Sequence, residues 1–276
     1  MNIFRELWRN KTLVWKLGKN DFKTKYAGSY FGILWAFVQP MVTILIYIFI
    51  FQFGFRVMDT PNGYPYALWL IAGIIPWFFF SEGIINATNC LMEYSYLVKK
   101  VVFKISVLPL VKILSALFVH LFFIAFAIFI YIIMGKTPIV QMAQLGYYTI
   151  CAICLITAIA YFTCSIVPFF RDFGTIINIL MQVGMWACPI MWDMSTFKMP
   201  AKVEFLLKLN PLYYVVQGYR DSFMDGIWFF ERPKMTGDWF FMRPTLTVYF
   251  WAVTLITMLV GLKVFKRLRP HFSDVL

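Results

Sequence analysis

The sequence predicts an all-α polytopic membrane protein with six transmembrane helices, and three observations carry this reading. Uncharged runs cover Ala27–Phe55, Thr60–Ser81, Ile113–Gly135, Thr137–Phe170, Phe173–Trp192 and Pro244–Leu262. Each can supply the about 20 predominantly apolar residues that a helix needs to cross the hydrocarbon layer. The 276-residue chain is 61% hydrophobic and 20% aromatic, too apolar for a soluble domain of this length. The runs are also apolar at almost every position, as in Met41–Phe51, where barrel strands would alternate over about ten residues. Lipid cannot satisfy backbone polar groups, so a helix bundle remains. Little is left for a globular domain, and residues 1–276 read as one transmembrane domain.

The charge pattern orients the bundle. The net charge is +12, but the basic residues are clustered. Arg5, Arg9, Lys11, Lys16, Lys19, Lys23 and Lys25 precede the first span. Lys99, Lys100, Lys104 and Lys112 follow the second, and Lys263, Lys266, Arg267 and Arg269 follow the last. The loops after the first and third spans hold only Arg56 and Lys136. This positive-inside asymmetry places both termini in the cytoplasm. The excess reads as an orientation signal facing anionic membrane lipid, and nucleic acid is not an expected partner.

Taken in order, residues 1–27 come first. They are mostly polar and precede a run far longer than a signal h-region, so no cleavable signal is expected. Phe4, Leu7, Trp8, Val14, Trp15, Phe22 and Tyr26 recur at helical spacing with lysine and arginine between them, predicting an amphipathic interface helix. In the second span, Glu82, Asn86, Asn89 and Glu93 sit at i, i+4, i+7 and i+11, one polar stripe. A charge at mid-membrane costs roughly 2.5–3.5 kcal/mol. The stripe therefore faces either a translocation path or a satisfied helix–helix contact. Residues 93–105 combine charge with Leu97, Val101, Val102 and Ile105, too polar to span, and suit a short helix docked in the groove of a cytoplasmic partner.

The stretch after the fifth span is extracytoplasmic by topology. Pro200 opens one short helix ending near Leu209, and Asn210-Pro211 opens a second as N-cap and first helical residue. Leu212, Val215, Val216, Tyr219 and Phe223 form its apolar face, with Gln217 and Arg220 pointing elsewhere. Two half-helices within residues 196–226 predict a re-entrant hairpin. Trp228-Phe229-Phe230 and Trp239-Phe240-Phe241 read as interface anchors.

Catalytic and metal patterns are missing from the sequence. Gly135-Lys136-Thr137 ends like a P-loop, but Ile130 replaces its first glycine and a membrane span precedes it. Cys151 and Cys154 form a C-x-x-C inside an apolar helix without a nearby histidine or carboxylate, and small-residue packing accounts for it better than a redox or metal site. His120 and His271 are far apart in sequence. No enzyme activity and no resident cofactor or metal are expected of this chain. A lipid- or sugar-modifying enzyme lacks its acid/base set, and an ion-coupled transporter lacks the expected internal repeat.

Several stretches together resemble the permease subunit of type-2 ABC exporters of lipid-linked polysaccharides, the O-antigen and teichoic acid exporters. They are Lys25-Tyr26-Ala27-Gly28-Ser29-Tyr30-Phe31-Gly32-Ile33-Leu34-Trp35 to Gln39-Pro40, Leu97-Val98-Lys99-Lys100-Val101 to Leu108-Pro109, Phe170-Arg171-Asp172-Phe173, Cys188-Pro189-Ile190-Met191-Trp192, and Asn210-Pro211-Leu212 to Tyr219-Arg220. Their order along almost the whole chain is more specific than any one of them. One departure is Lys104, which follows Phe103 where the family often has proline. The resemblance implies a homodimer in the bacterial cytoplasmic membrane with two copies of an ATPase subunit that binds ATP and Mg. It also implies a coupling helix at 93–105, with Glu93, Tyr96, Leu97, Lys99, Lys100 and Lys104 meeting that ATPase. The first and fifth spans would line a conduit on which Trp35, Phe37 and Tyr47 offer sugars a sliding surface, with core packing as the alternative for each. Glu82 and Asn86 would face it. Lys19, Lys23, Lys25 and Arg171 would meet the substrate's lipid-phosphate on the cytoplasmic side, and Arg220, with Asn210 shaping its turn, on the outer side; an ordinary lipid-headgroup contact is the alternative for each, and pairing with Asp172 for Arg171. Export of a drug or small lipid is the alternative within the same class.

Overall fold

A computed structural model describes residues 9–57, 59, 63–98, 104–136, 140–194, 200–231 and 243–276. Among them the regular structure is entirely helical: α1 Lys11–Lys25, α2 Trp35–Ile48, α3 Tyr66–Glu93, α4 Ser95–Val98, α5 Leu108–Ile133, α6 Leu145–Ile166, α7 Asp172–Ala187, α8 Ala201–Lys208, α9 Pro211–Arg220, α10 Arg243–Leu268 and α11 Phe272–Val275. Five stretches are long and apolar enough to cross a membrane: Gly32–Gly54, Tyr66–Glu93, Ile105–Ile133, Val140–Ile166 and Pro244–Val275. The remaining apolar run, the fifth along the chain, forms α7, whose 16 residues extend about 24 Å at 1.5 Å per residue. It is shorter than the other five because the chain leaves the helix at Cys188-Pro189, where Cys188 is extended at φ −91 and ψ 134.

Helix α5 runs antiparallel to α3 and α6, so the helix ends sort to two sides. Tyr131, late in α5, donates its hydroxyl to the Leu68 carbonyl early in α3 at 3.0 Å. Tyr161, late in α6, donates to the Ser106 carbonyl just before α5 at 2.7 Å. The start of α3, the end of α5, the start of α6 and the start of α10 thus share one end. Lys25, Glu93, Lys112 and the end of α10 share the other, the basic end.

Helix α3 is the axis of the bundle, buried along most of its length. Small residues let neighbours close on it: a Cβ at Gly73 would meet Arg220, one at Gly83 would meet Ile156, and Ala72 and Ala87 have no exposed surface. The same device joins α10 to α6, where a Cβ at Gly261 would stand 2.7 Å from the Ala158 carbonyl oxygen. Such close backbone approach supplies the van der Waals contact that holds helices together in lipid.

Helices α8 and α9 form where Pro200 and Asn210-Pro211 predict them, and the Asn210 side chain accepts from the Leu212 N–H at 3.0 Å. The expected apolar face of α9 is buried, with Tyr214 stacked on Phe250 at 4.9 Å. Tyr219 reaches into the bundle, its hydroxyl 2.8 Å from both His120 Nε2 on α5 and Thr149 Oγ1 on α6. A Cβ at Gly218 would overlap the Tyr148 ring at 2.1 Å, so glycine is required there. The other side of α9 is enclosed as well. Arg220, expected to point elsewhere than this face, is itself buried.

Candidate functional site

At the basic end α1 packs across α5. Trp15 and Phe22 both meet the Phe118 ring at 5.6 Å, and Gly18 lies against Leu114. The helix thus spends much of its apolar face on protein, while Lys11, Lys16, Lys19 and Lys23 stay exposed. Lys25, at its end, donates to Glu82 Oε1 on α3 at 2.5 Å. Burial alone would lower the Lys25 pKa, but the Glu82 charge and hydrogen bond outweigh it and hold the ammonium above its ordinary value. Two residues expected to face substrate separately are therefore paired with each other.

The polar stripe on α3 meets protein at three of its four positions. Besides Glu82, Asn89 lies against Gly174 of α7 and Glu93 accepts from Lys112 Nζ at 2.5 Å. Asn86 is half-buried. A second cluster escaped the sequence reading: Asp21 Oδ1 accepts the Tyr94 hydroxyl at 2.5 Å and Lys112 Nζ at 2.7 Å. Burial and the bond to Asp21 push the Tyr94 phenol up, so it keeps the proton it donates. The available signal was that Asp21 is the one acidic residue between Arg9 and Tyr26, and Lys112 a lone cation at the start of a span.

The segment expected to dock a partner is described in part. Ser95–Val98 forms a single turn, with Tyr96 59% exposed, Leu97 half-buried and Lys104 exposed. Lys99, Lys100 and Phe103 lie outside the described residues, as do Phe4, Leu7, Trp8 and the 239–241 aromatics. Of the first aromatic triplet, Phe229 stacks on Tyr147 at 4.3 Å, so it packs on protein, while Phe230 is exposed.

The expected conduit residues divide. Trp35 is exposed on α2. Phe37 packs on Phe122 of α5 at 4.1 Å, and Tyr47 turns its hydroxyl to Met185 Sδ of α7 at 3.9 Å. Both pack between helices, as the alternative reading had it. Beside them α2 and α7 expose a broad apolar face that includes Leu45, Ile46, Phe49, Ile179, Val183 and Trp186. Arg171 is exposed just before α7. Arg220 is not available as an outer phosphate receptor. It is 3% exposed, lies over the Trp69 ring at 3.5 Å and donates to the Ile190 carbonyl at 2.9 Å.

Residues 12–224 of this chain match the ABC-2 type transporter family model. The chain belongs to the ABC-2 type transporter family. Two O-antigen export system permease proteins RfbA of Klebsiella pneumoniae are each 27% identical to it, over 261 and 259 residues, covering 93% of this chain and 92% of each relative. The protein of the same name from Myxococcus xanthus is 24% identical over 225 residues, 82% of this chain and 85% of that one. The family match spans α1 to α9, so both ion clusters and Arg220 belong to the ABC-2 portion of the chain.

Proposed function

We propose that this ABC-2 permease is the membrane subunit of an ATP-driven exporter that moves a lipid-linked polysaccharide, of O-antigen or teichoic acid type, across the bacterial cytoplasmic membrane. The observation that carries the reading is the end-to-end likeness to O-antigen export permeases. The chain works as a homodimer with six spans per copy, α7 being the fifth, both termini cytoplasmic and the α8–α9 hairpin entering from outside. Two copies of a separate subunit bind ATP and Mg and press on the segment at 93–105, where the exposed Tyr96 is the natural contact. Lys23 and Lys25 sit where α1 meets the spans and suit the phosphate of the incoming lipid, with Glu82 holding Lys25 in place until an anion competes for it.

The test is co-expression with the partner ATPase subunit. The purified chain alone should hydrolyse no ATP, and the complex should. Tyr96→Asp with Leu97→Asp should abolish co-purification. Deleting the chain should strip the lipid-linked glycan from the cell surface. Hydrolysis by the isolated chain would overturn the reading, and loss of drug or small-lipid efflux with normal surface glycan would move the cargo to the alternative.

A further inference from the structure

The Asp21 cluster joins four pieces of chain at one point. Asp21 is 5% exposed, on a helix whose lysines otherwise face outward. Its Oδ1 holds the Tyr94 hydroxyl and Lys112 Nζ. Lys112 also reaches Glu93 and lies 4.9 Å over the Tyr94 ring. Tyr94 ends α3, its N–H bonded to the Cys90 carbonyl at 3.0 Å, and opens α4, its carbonyl taking the N–H groups of Leu97 and Val98 at 2.8 and 3.2 Å. The docking turn therefore hangs from a residue whose side chain is tied to α1. Behind it, Val98 is buried in a small core with Cys90, Leu91, Leu108, Phe265 and Phe272.

We propose that Asp21 is a positioning residue that locks the interface helix to the ATPase-docking turn, so that α1, α4, the end of α3 and the start of α5 move as one body. The proposal rests on the reading of residues 93–105 as the docking segment. Apolar packing alone would let α1 slide or roll on α5, because its contacts there are rings and one glycine. A carboxylate that must face one hydroxyl and one ammonium at hydrogen-bond distance admits a single register, the best-attested use of a buried ionic group. Force applied to α4 then reaches the lysine-lined helix at the membrane surface without being lost in a hinge at Tyr94.

The test uses the full chain in complex with its ATPase, spin-labelled through Lys16→Cys on α1 and Ser95→Cys on α4 in a Cys154→Ser background. One narrow distance distribution is expected, the same without nucleotide and with ATP. Tyr94→Phe removes only the hydroxyl, and should broaden that distribution and lower glycan exported per ATP hydrolysed several-fold, with melting temperature and ATPase co-purification near those of the unmutated complex. Asp21→Asn should do the same, and Lys112→Arg should keep the distribution narrow. A distance that shifts with nucleotide in the unmutated complex, or one that stays narrow in Tyr94→Phe, overturns the proposal. So does a loss of export that merely parallels lost ATPase binding, since the cluster would then only support the fold. An unmutated chain that binds no ATPase would overturn the functional reading first, and this proposal with it.

Discussion

A guanidinium taken out of water needs partners around its plane, and Arg220 has them on several sides. Trp69 covers one face, the Ile190 carbonyl takes one N–H, and Gly73 leaves room for the group, while Nε has no hydrogen-bond partner among the described residues. Stacking and forked donation are properties of arginine that lysine does not share. Arg220→Ala should therefore cost about 2–5 kcal/mol, the range for truncating a large buried side chain, seen as a lower melting temperature in detergent. Arg220→Lys should recover little of it, while Lys23→Ala, at an exposed position, should melt as the unmutated chain does. An Arg220→Ala chain of full stability that fails only in export would return the residue to the substrate path. The cap on the same helix was legible because it is local: Asn210 meets a backbone N–H two residues away. Arg220 was not, because helical periodicity locates the apolar face but takes the opposite face to be free.

Helix α1 shows the same division between local pattern and long-range contact. Its amphipathic spacing predicted a helix, and residues 11–25 form one. Which helix would receive its apolar face, and that Lys25 and Asp21 would reach α3 and α5, depends on partners 57 and 91 residues away. The Lys25–Glu82 pair is partly exposed, with side chains at 37% and 26%, so screening limits it to about 0.2–1 kcal/mol. Lys25→Gln or Glu82→Gln should each cost no more than that. The exchanged pair Lys25→Glu with Glu82→Lys should restore stability, since an ion pair of the same geometry reforms. Export should stay low in the exchange, because a carboxylate would then stand where the lipid-phosphate arrives. Recovery of export together with stability would show that the pair serves the fold alone.

At the scale of the molecule, the centre of the bundle is filled. Phe79, His120, Tyr131, Tyr148 and Tyr219 are all buried at its heart, His120 stacked on Phe79 at 4.4 Å. A glycan has no room among them, so the export function proposed above calls for a conduit between two copies of the chain. The first span is the natural wall, since 11% of its most apolar window is buried, against 78% in α3. Hydropathy could not separate this face from a lipid-facing one, because lipid tails are as apolar as leucine; α10 exposes Leu255, Ile256 and Leu259 in the same way. What sets α2 and α7 apart is that a side chain joins them, the Tyr47 hydroxyl meeting Met185 Sδ at 3.9 Å, while both helices expose apolar side chains. Single cysteines at Val42 and Val183 should crosslink in native membranes to covalent dimers, and one at Leu259 should not. Crosslinking at Leu259 with none at Val42 or Val183 would put the partner on α10, and the conduit with it.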